Sequence, residues 1–356
     1  MRRARGMKVL AISGAAIVAF GLAACGGNDN GGSGGNPSEP AKANVKVGLA
    51  YDIGGRGDKS FNDAAAAGLE KAKTDFNVEA KELSAVANET EADKYARLKL
   101  LCQGGYNPVI AVGFVYAGND PKTGPVAKAA KDCPDTKFAI IDSVVDASNV
   151  ASLVFAEEQG SFLVGAAAAL KSAAKHIGFV GGVKVPLIGK FEAGYIAGAK
   201  AVDPNIKVDV RYLTSPPDFS GFGDPAKGKT AAEGMYQKGA DVVYHAAGGS
   251  GGGVFAAAKA AGKMAIGVDS DQALTAPADV KDVIITSMIK KVDVAVYDFI
   301  KSASDGTELT GNKVYDLKSG GVDYSTTGGH IDDIKSKLDA FKQDIIDGKI
   351  TVPTKP

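Results

Sequence analysis

Residues 48–73 read GLAYDIGGRGDKSFNDAAAAGLEKAK, and this stretch decides the fold. The apolar run from Val45 to Tyr51 reads as a strand and ends in Asp52. Gly54, Gly55 and Gly57 then allow the chain a tight path. Ser60-Phe61-Asn62-Asp63 has the Ser-x-x-Asp spacing of a capping box, and the alanine-rich run behind it favours helix. Strand, glycine-rich loop and capped helix open a doubly wound α/β domain, in which ligands lie outside the carboxyl ends of the strands. Asp52 and the group Asp58, Ser60, Phe61 and Asn62 are therefore expected at that rim. A phenyl ring among carboxylates and an amide suits a ligand with one flat apolar face and several hydroxyls.

The alternation continues outward. Strands are expected at 78–83, 108–114, 137–142 and 150–155, with helices at 91–101 and 125–131 between them. A helix of small residues follows to 174, and a second series starts at residue 176. That series has strands at 206–212, 240–247 and 264–269, helices at 191–201 and 226–238, and a glycine-rich loop at 248–253. Beyond it lie strands at 283–287 and 313–317 and helices at 290–302 and 331–347. The fold class is thus α/β, two Rossmann-like lobes with parallel sheets. The chain is expected to cross between lobes near residues 156 and 280, so that a multi-strand hinge joins 44–155 with 280–312 to 156–279 with 313–356.

The chain has 356 residues, of which 45% are apolar and 23% charged, with no tryptophan and zero formal net charge. Without a basic cluster carrying interleaved aromatics, nucleic acid is not among the expected partners. Arg2, Arg3, Arg5 and Lys8 precede an apolar run from Val9 to Ala24, which is short for a membrane span and has the flanks of a signal peptide. The run ends Leu22-Ala23-Ala24-Cys25, which resembles a bacterial lipobox. On that reading 1–24 is removed and Cys25 is lipidated, anchoring the protein at the extracytoplasmic face of the cell membrane. Removal takes four basic and no acidic residues, leaving a mature charge of about −4. Residues 25–43 hold the anchor and a polar, glycine-rich tether.

Cys102 and Cys133 each follow a helical run and precede a strand. If those strands are neighbours, their entry ends lie within disulfide reach; two buried free thiols are the other reading. The three histidines and three cysteines show no metal-ligand spacing.

Polar or aromatic residues stand at the carboxyl end of nearly every expected strand: Asp52, Phe114, Asp142, Gly181-Gly182, His245 to Gly248, and Asp269. Other chemistries fit less well. Gly251-x-Gly253-x-x-Ala256 matches a dinucleotide fingerprint, with Asp269 downstream, but it lies in the second lobe without an evident acid/base partner. Arg56-Gly57-Asp58 is an adhesion tripeptide, yet Asp58 is better explained by capping or a pocket. Ser250 falls in a Gly-x-Ser-x-Gly string only because of the glycine run, and no phosphate-cradling Gly-Lys-Ser occurs, since Asp58 interrupts it.

Short blocks in order along the mature chain resemble the basic membrane protein family, the nucleoside-binding lipoproteins that serve ABC importers. They include Asp58-Lys-Ser-Phe-Asn62, Val112-Gly-Phe114, Phe138-Ala-Ile-Ile-Asp142, Phe191-Glu-Ala-Gly-Tyr195, Asp224-Pro-Ala-Lys-Gly228, His245-Ala-Ala-Gly-Gly249, Gly267-Val-Asp-Ser-Asp-Gln272 and Thr286-Ser-Met-Ile-Lys290. The resemblance implies a type I periplasmic-binding-protein fold that closes on its ligand, without catalysis or cofactor. It implies a purine nucleoside as ligand, an ABC permease and its ATPase as partners, and a monomer. Phe61 resembles one wall of an aromatic sandwich around the base, and Phe222 the other, with Phe219 as the alternative. Asp52, Asp142 and Asp269 resemble the carboxylates that take ribose hydroxyls and base edges. Phe114, Phe191, Gly248 and Lys290 complete the implied set. The segment Ser215-Pro216-Pro217-Asp218-Phe219-Ser-Gly-Phe222 departs from the family's shorter form, which leaves open which phenylalanine stacks. The same fold binding a sugar or another small polar ligand is the alternative.

Overall fold

The computed structural model describes residues 45–307 and 309–356, through which strands and helices alternate. The expected leader, Cys25 and the tether lie outside the described residues. The chain runs β1 (Val45–Ala50), α1 (Phe61–Asp75), β2 (Val78–Leu83), α2 (Glu91–Gln103), β3 (Val109–Ala111), α3 (Pro125–Asp132), β4 (Phe138–Ile141) and β5 (Val150–Phe155). It continues with α4 (Glu157–Lys171), β6 (His176–Val183), α5 (Pro186–Val202), β7 (Lys207–Thr214), α6 (Pro225–Gln237) and β8 (Val242–Ala246). Then come α7 (Gly251–Ala261), β9 (Met264–Asp269), a short α8 (Gln272–Thr275), β10 (Ile284–Lys290) and α9 (Val292–Ser304). β11 (Gly311–Tyr315), β12 (Val322–Tyr324) and α10 (Lys335–Ile346) end it.

These strands form two six-stranded sheets, ordered β2-β1-β3-β4-β5-β11 and β7-β6-β8-β9-β10-β12. All neighbours within them are parallel except β10 and β12. Central strands such as Phe138-Ala-Ile-Ile141 are buried throughout, which is why they read as unbroken apolar runs. Helices cover the faces, and among the described residues none is long and apolar enough to cross a membrane.

The hinge differs from the sequence reading. Ile284–Lys290, expected in the first lobe, pairs with β9 in the second sheet. Gly311–Tyr315, overlapping the strand assigned to the second lobe, pairs with β5 in the first. Each is a short run whose composition fits either sheet, so only pairing decides. The helix between them does lie on the first lobe, where it packs on α1 and Tyr297 stacks on Phe76, the residue after α1, with ring centroids 5.5 Å apart. The chain therefore crosses after β5, after β10 and between β11 and β12. Cys102, in the last turn of α2, and Cys133, following α3, are joined as a disulfide with Cα atoms 6.4 Å apart.

Candidate functional site

Both strand orders reverse, between β1 and β3 in one sheet and between β6 and β8 in the other, and ligands of doubly wound sheets bind at such points. Asp52 follows β1, Phe114 follows β3, and Ala246 and Gly248 stand at the end of β8. They line one cavity with Asp58, Phe61, Asn62 and Asp142 of the first lobe and Phe191, Phe222, Asp269 and Lys290 of the second. It measures about 540 Å³ including its open mouth. Of the candidate ligand-binding residues named from sequence, Ser60 and the alternative stacking residue Phe219 are not among the lining side chains, nor are Gly181, Gly182 and His245 of the strand ends. The Ser60 hydroxyl donates instead across the cleft to Asp269 Oδ2.

The expected capping box is also redistributed. Ser60 makes no side-chain cap, and Asp58 takes that role, accepting the N–H groups of Ser60, Asn62 and Asp63 at 2.9, 2.9 and 3.1 Å. Asp63 reaches back to the N–H groups of Gly57 and Lys59 at 2.7 and 3.0 Å. The loop is thereby closed by two carboxylates, and α1 presents Phe61 in its first turn. Asn62 donates to Asp58 and accepts the Asp52 N–H at 3.2 Å. Because Asp58 is so engaged, the Arg-Gly-Asp tripeptide has no free carboxylate to offer, and Arg56 pairs with Glu70 and Glu82.

Of three aspartates at strand ends, Asp52 and Asp269 are buried, and Asp142 is half-buried as a residue with its side chain enclosed. Burial pushes the Asp52 carboxyl up to about 7, against the Ile53 N–H that holds it down. Burial likewise pushes Asp269 up to about 6, with Lys290 and the Ser60 hydroxyl opposing. Asp142 is raised by burial against the pull of Lys290, whose Nζ lies 2.6 Å from Oδ2, while Oδ1 has no hydrogen-bond partner. Asp142 and Asp269 sit in the left-handed region at φ 68° and 64°. Non-glycine residues hold that conformation at a cost, and such strain collects at binding sites. Gly113, at φ 113°, gives Asp52 its place: a Cβ there would stand 2.3 Å from Asp52 Oδ2.

Lys290 ends β10 at the second crossing. Burial would strip its proton, but Asp142, Glu157 and Asp269 outweigh burial and hold the ammonium charged. Glu157 Oε1 is 3.3 Å away, and the rings of Phe61, Phe155 and Phe191 surround the nitrogen at 5.0, 5.0 and 5.6 Å. The cation is thus enclosed by carboxylates and phenyl faces. Between the two candidate stacking residues, the ring lining the cavity is Phe222; Phe219 tilts against Phe114 at 6.1 Å. Gly182 permits this, since a Cβ there would meet the Phe222 ring at 2.5 Å.

The competing motifs serve packing. A Cβ at Gly251 would strike the His245 ring at 1.9 Å, and one at Gly253 the Pro225 carbonyl at 1.8 Å, so these glycines seat α7 against its neighbours. Ser250 donates to the Gly221 carbonyl and accepts from the Asp224 N–H, which leaves no free nucleophile. Among the described residues, no cluster of His, Cys, Asp and Glu could hold a metal ion. The sequence reading missed most of the apolar lining, namely Ile53, Leu187, Ile188 and Val268, while Ala246 falls in the strand-end stretch His245 to Gly248 that it names. Leu187 and Ile188 escaped because α5 begins at Pro186 rather than at 191, and a proline at the first helical position was the available signal. Glu157, the buried partner of Lys290, escaped as well.

The family model described as ABC transporter substrate-binding protein PnrA-like matches residues 45–355. A relative in Lactococcus lactis subsp. cremoris, named ABC transporter nucleoside-binding protein BmpA, is 37% identical over 98% of this chain and 99% of its own. A CD4+ T-cell-stimulating antigen of Listeria monocytogenes is 38% identical over 87% of this chain and 88% of its own. Among solved structures, an ABC transporter solute-binding protein of Aeropyrum pernix K1 superposes with a TM-score of 0.74 at 28% identity, covering 87% of this chain and 93% of that one.

Proposed function

Because the chain belongs to the Bmp family of PnrA-like ABC transporter substrate-binding proteins, we propose that it captures purine nucleosides in the interlobe cleft and hands them to an ABC importer. It binds without chemistry, lipid-anchored through Cys25 at the extracytoplasmic face of the membrane. The observation carrying this reading is one cavity lined by the rings of Phe61 and Phe222 together with the carboxylates of Asp52, Asp142 and Asp269. A nucleoside offers an aromatic plane and vicinal hydroxyls, and this lining offers the complementary surfaces. Phe61 and Phe222 would hold the base between them. Asp142 Oδ1, a buried acceptor without a partner, is suited to a ribose O–H.

Base stacking on one ring is worth about 1–3 kcal/mol, so Phe61→Ala should weaken purine nucleosides about 10- to 100-fold with the fold intact. Asp269→Ala should weaken ribosides more than the free base. Calorimetric titration with adenosine, guanosine, inosine, adenine and ribose tests both. Ribose binding as tightly as any nucleoside would replace this reading with a sugar receptor.

A further inference from the structure

The segment that ends β9 and begins α8 meets Lys59 and Ser60 across the cleft. Ser60 Oγ donates to Asp269, Ser270 Oγ donates to the Ser60 carbonyl at 3.3 Å, and Gln272 Nε2 donates to the Lys59 carbonyl at 2.9 Å. Gln272 is buried, and its side chain is not among those lining the cavity.

The Gln272 amide has one admissible orientation. Its Oε1 accepts the Val268 N–H at 2.9 Å, and turning the amide would set donor against donor there. The same Oε1 lies 3.0 Å from His245 Nε2, which therefore carries its proton and donates. His245 is fully buried, its Nδ1 has no partner, and burial pushes the imidazole down to about 4, so the ring stays neutral in this tautomer. The Gln272 N–H is fastened to Ser287 Oγ at 3.1 Å. With those atoms tied inside the second lobe, the NH2 group reaches out to the first.

We propose that Gln272 is a closure clasp: it fastens the second lobe to the Lys59 carbonyl of the first without touching the ligand. It therefore sets the affinity of every cleft ligand by one common factor. This deepens the nucleoside reading and rests on it for its ligands.

The test is Gln272→Glu, which keeps Oε1 for Val268 and His245 but turns an acceptor toward the Lys59 carbonyl. Adenosine, guanosine and inosine should each lose affinity by the same factor of about 10, through faster dissociation at unchanged association rate. Ser270→Ala, which deletes only the longer bond, should give a smaller common loss of about 2-fold and serves should the glutamate variant fold poorly. Unchanged affinities for both variants overturn the clasp, as does a loss that differs among the three nucleosides, because Gln272 would then be reading the ligand. If the wild type binds none of the three, the proposed function fails instead. The clasp is then decided by small-angle scattering of the unliganded proteins. A larger radius of gyration in Gln272→Glu than in the wild type supports it, and identical profiles overturn it.

Discussion

At the scale of single residues, the cleft is unusual for carboxylates whose charge is disfavoured. Asp52 has its folded pKa raised to about 7 by burial, against an unfolded value near 4. The folded state therefore holds a proton more tightly than the unfolded chain. The stability this confers is fully present below about pH 4 and is lost as pH rises toward 7. Asp52→Asn removes the titration while keeping an oxygen for the Ile53 N–H, which donates to Asp52 Oδ1 in the wild type. The variant should thus be more stable than the wild type by at most about 4 kcal/mol at pH 8 and by less than half of that, about 1.5 kcal/mol, at pH 5, the two becoming equal only below about pH 4. Thermal unfolding at the two pH values checks this; an equal difference at both would mean that Asp52 is not the titrating group. Residue types and strand-end positions made these aspartates legible in the sequence. The hydrogen-bond partners were less so: Ser60 has the spacing of a cap, yet Asp58 caps and Ser60 binds Asp269, a choice made by the opposite lobe.

At the scale of elements, Cys102 and Cys133 were placed by the rule that each ends a helix feeding one of two strands. β3 and β4 are indeed parallel neighbours, with Val109 opposite Phe138. The disulfide spans a sequence separation of 31, so in the chain-entropy account it contributes roughly 2–4 kcal/mol. Cys102→Ser with Cys133→Ser should lower stability by that amount without altering ligand specificity. Denaturant unfolding, alongside non-reducing peptide mapping of the wild type, checks this, and recovery of both as free thiols would remove the bridge. Element type was legible because parallel strands bury both faces and read as apolar runs. Sheet membership was not: β10 and β11 are adjacent in sequence but belong to opposite sheets, and no local pattern in Ile284–Lys290 or Gly311–Tyr315 says which edge will accept it. The three-residue β12 is too short for a periodic signal, and it was not anticipated.

At the scale of the whole molecule, three crossings confine the lobes to motion about the line that joins them. Two covalent links would permit more twist; three favour a hinge. Lys290 lies at the second crossing and reaches Asp142 of the first lobe, while Glu157, its other carboxylate, begins the helix just after the first crossing. The cleft walls and the hinge thus share residues, so whatever occupies the cavity acts on the charges that span it. A ligand bridging Asp52 and Phe61 on one side and Phe222 and Asp269 on the other contacts both lobes only when they are shut. Its binding free energy is therefore differential between open and closed forms, which is what a population shift requires. Small-angle scattering of the wild type should accordingly show a smaller radius of gyration with saturating adenosine or guanosine than without, and the change should be weaker in Phe61→Ala at the same ligand concentration. A profile unchanged at saturation, with binding verified by calorimetry on the same sample, would mean that the ligand enters a rigid pocket and that the three crossings brace the lobes instead of hinging them.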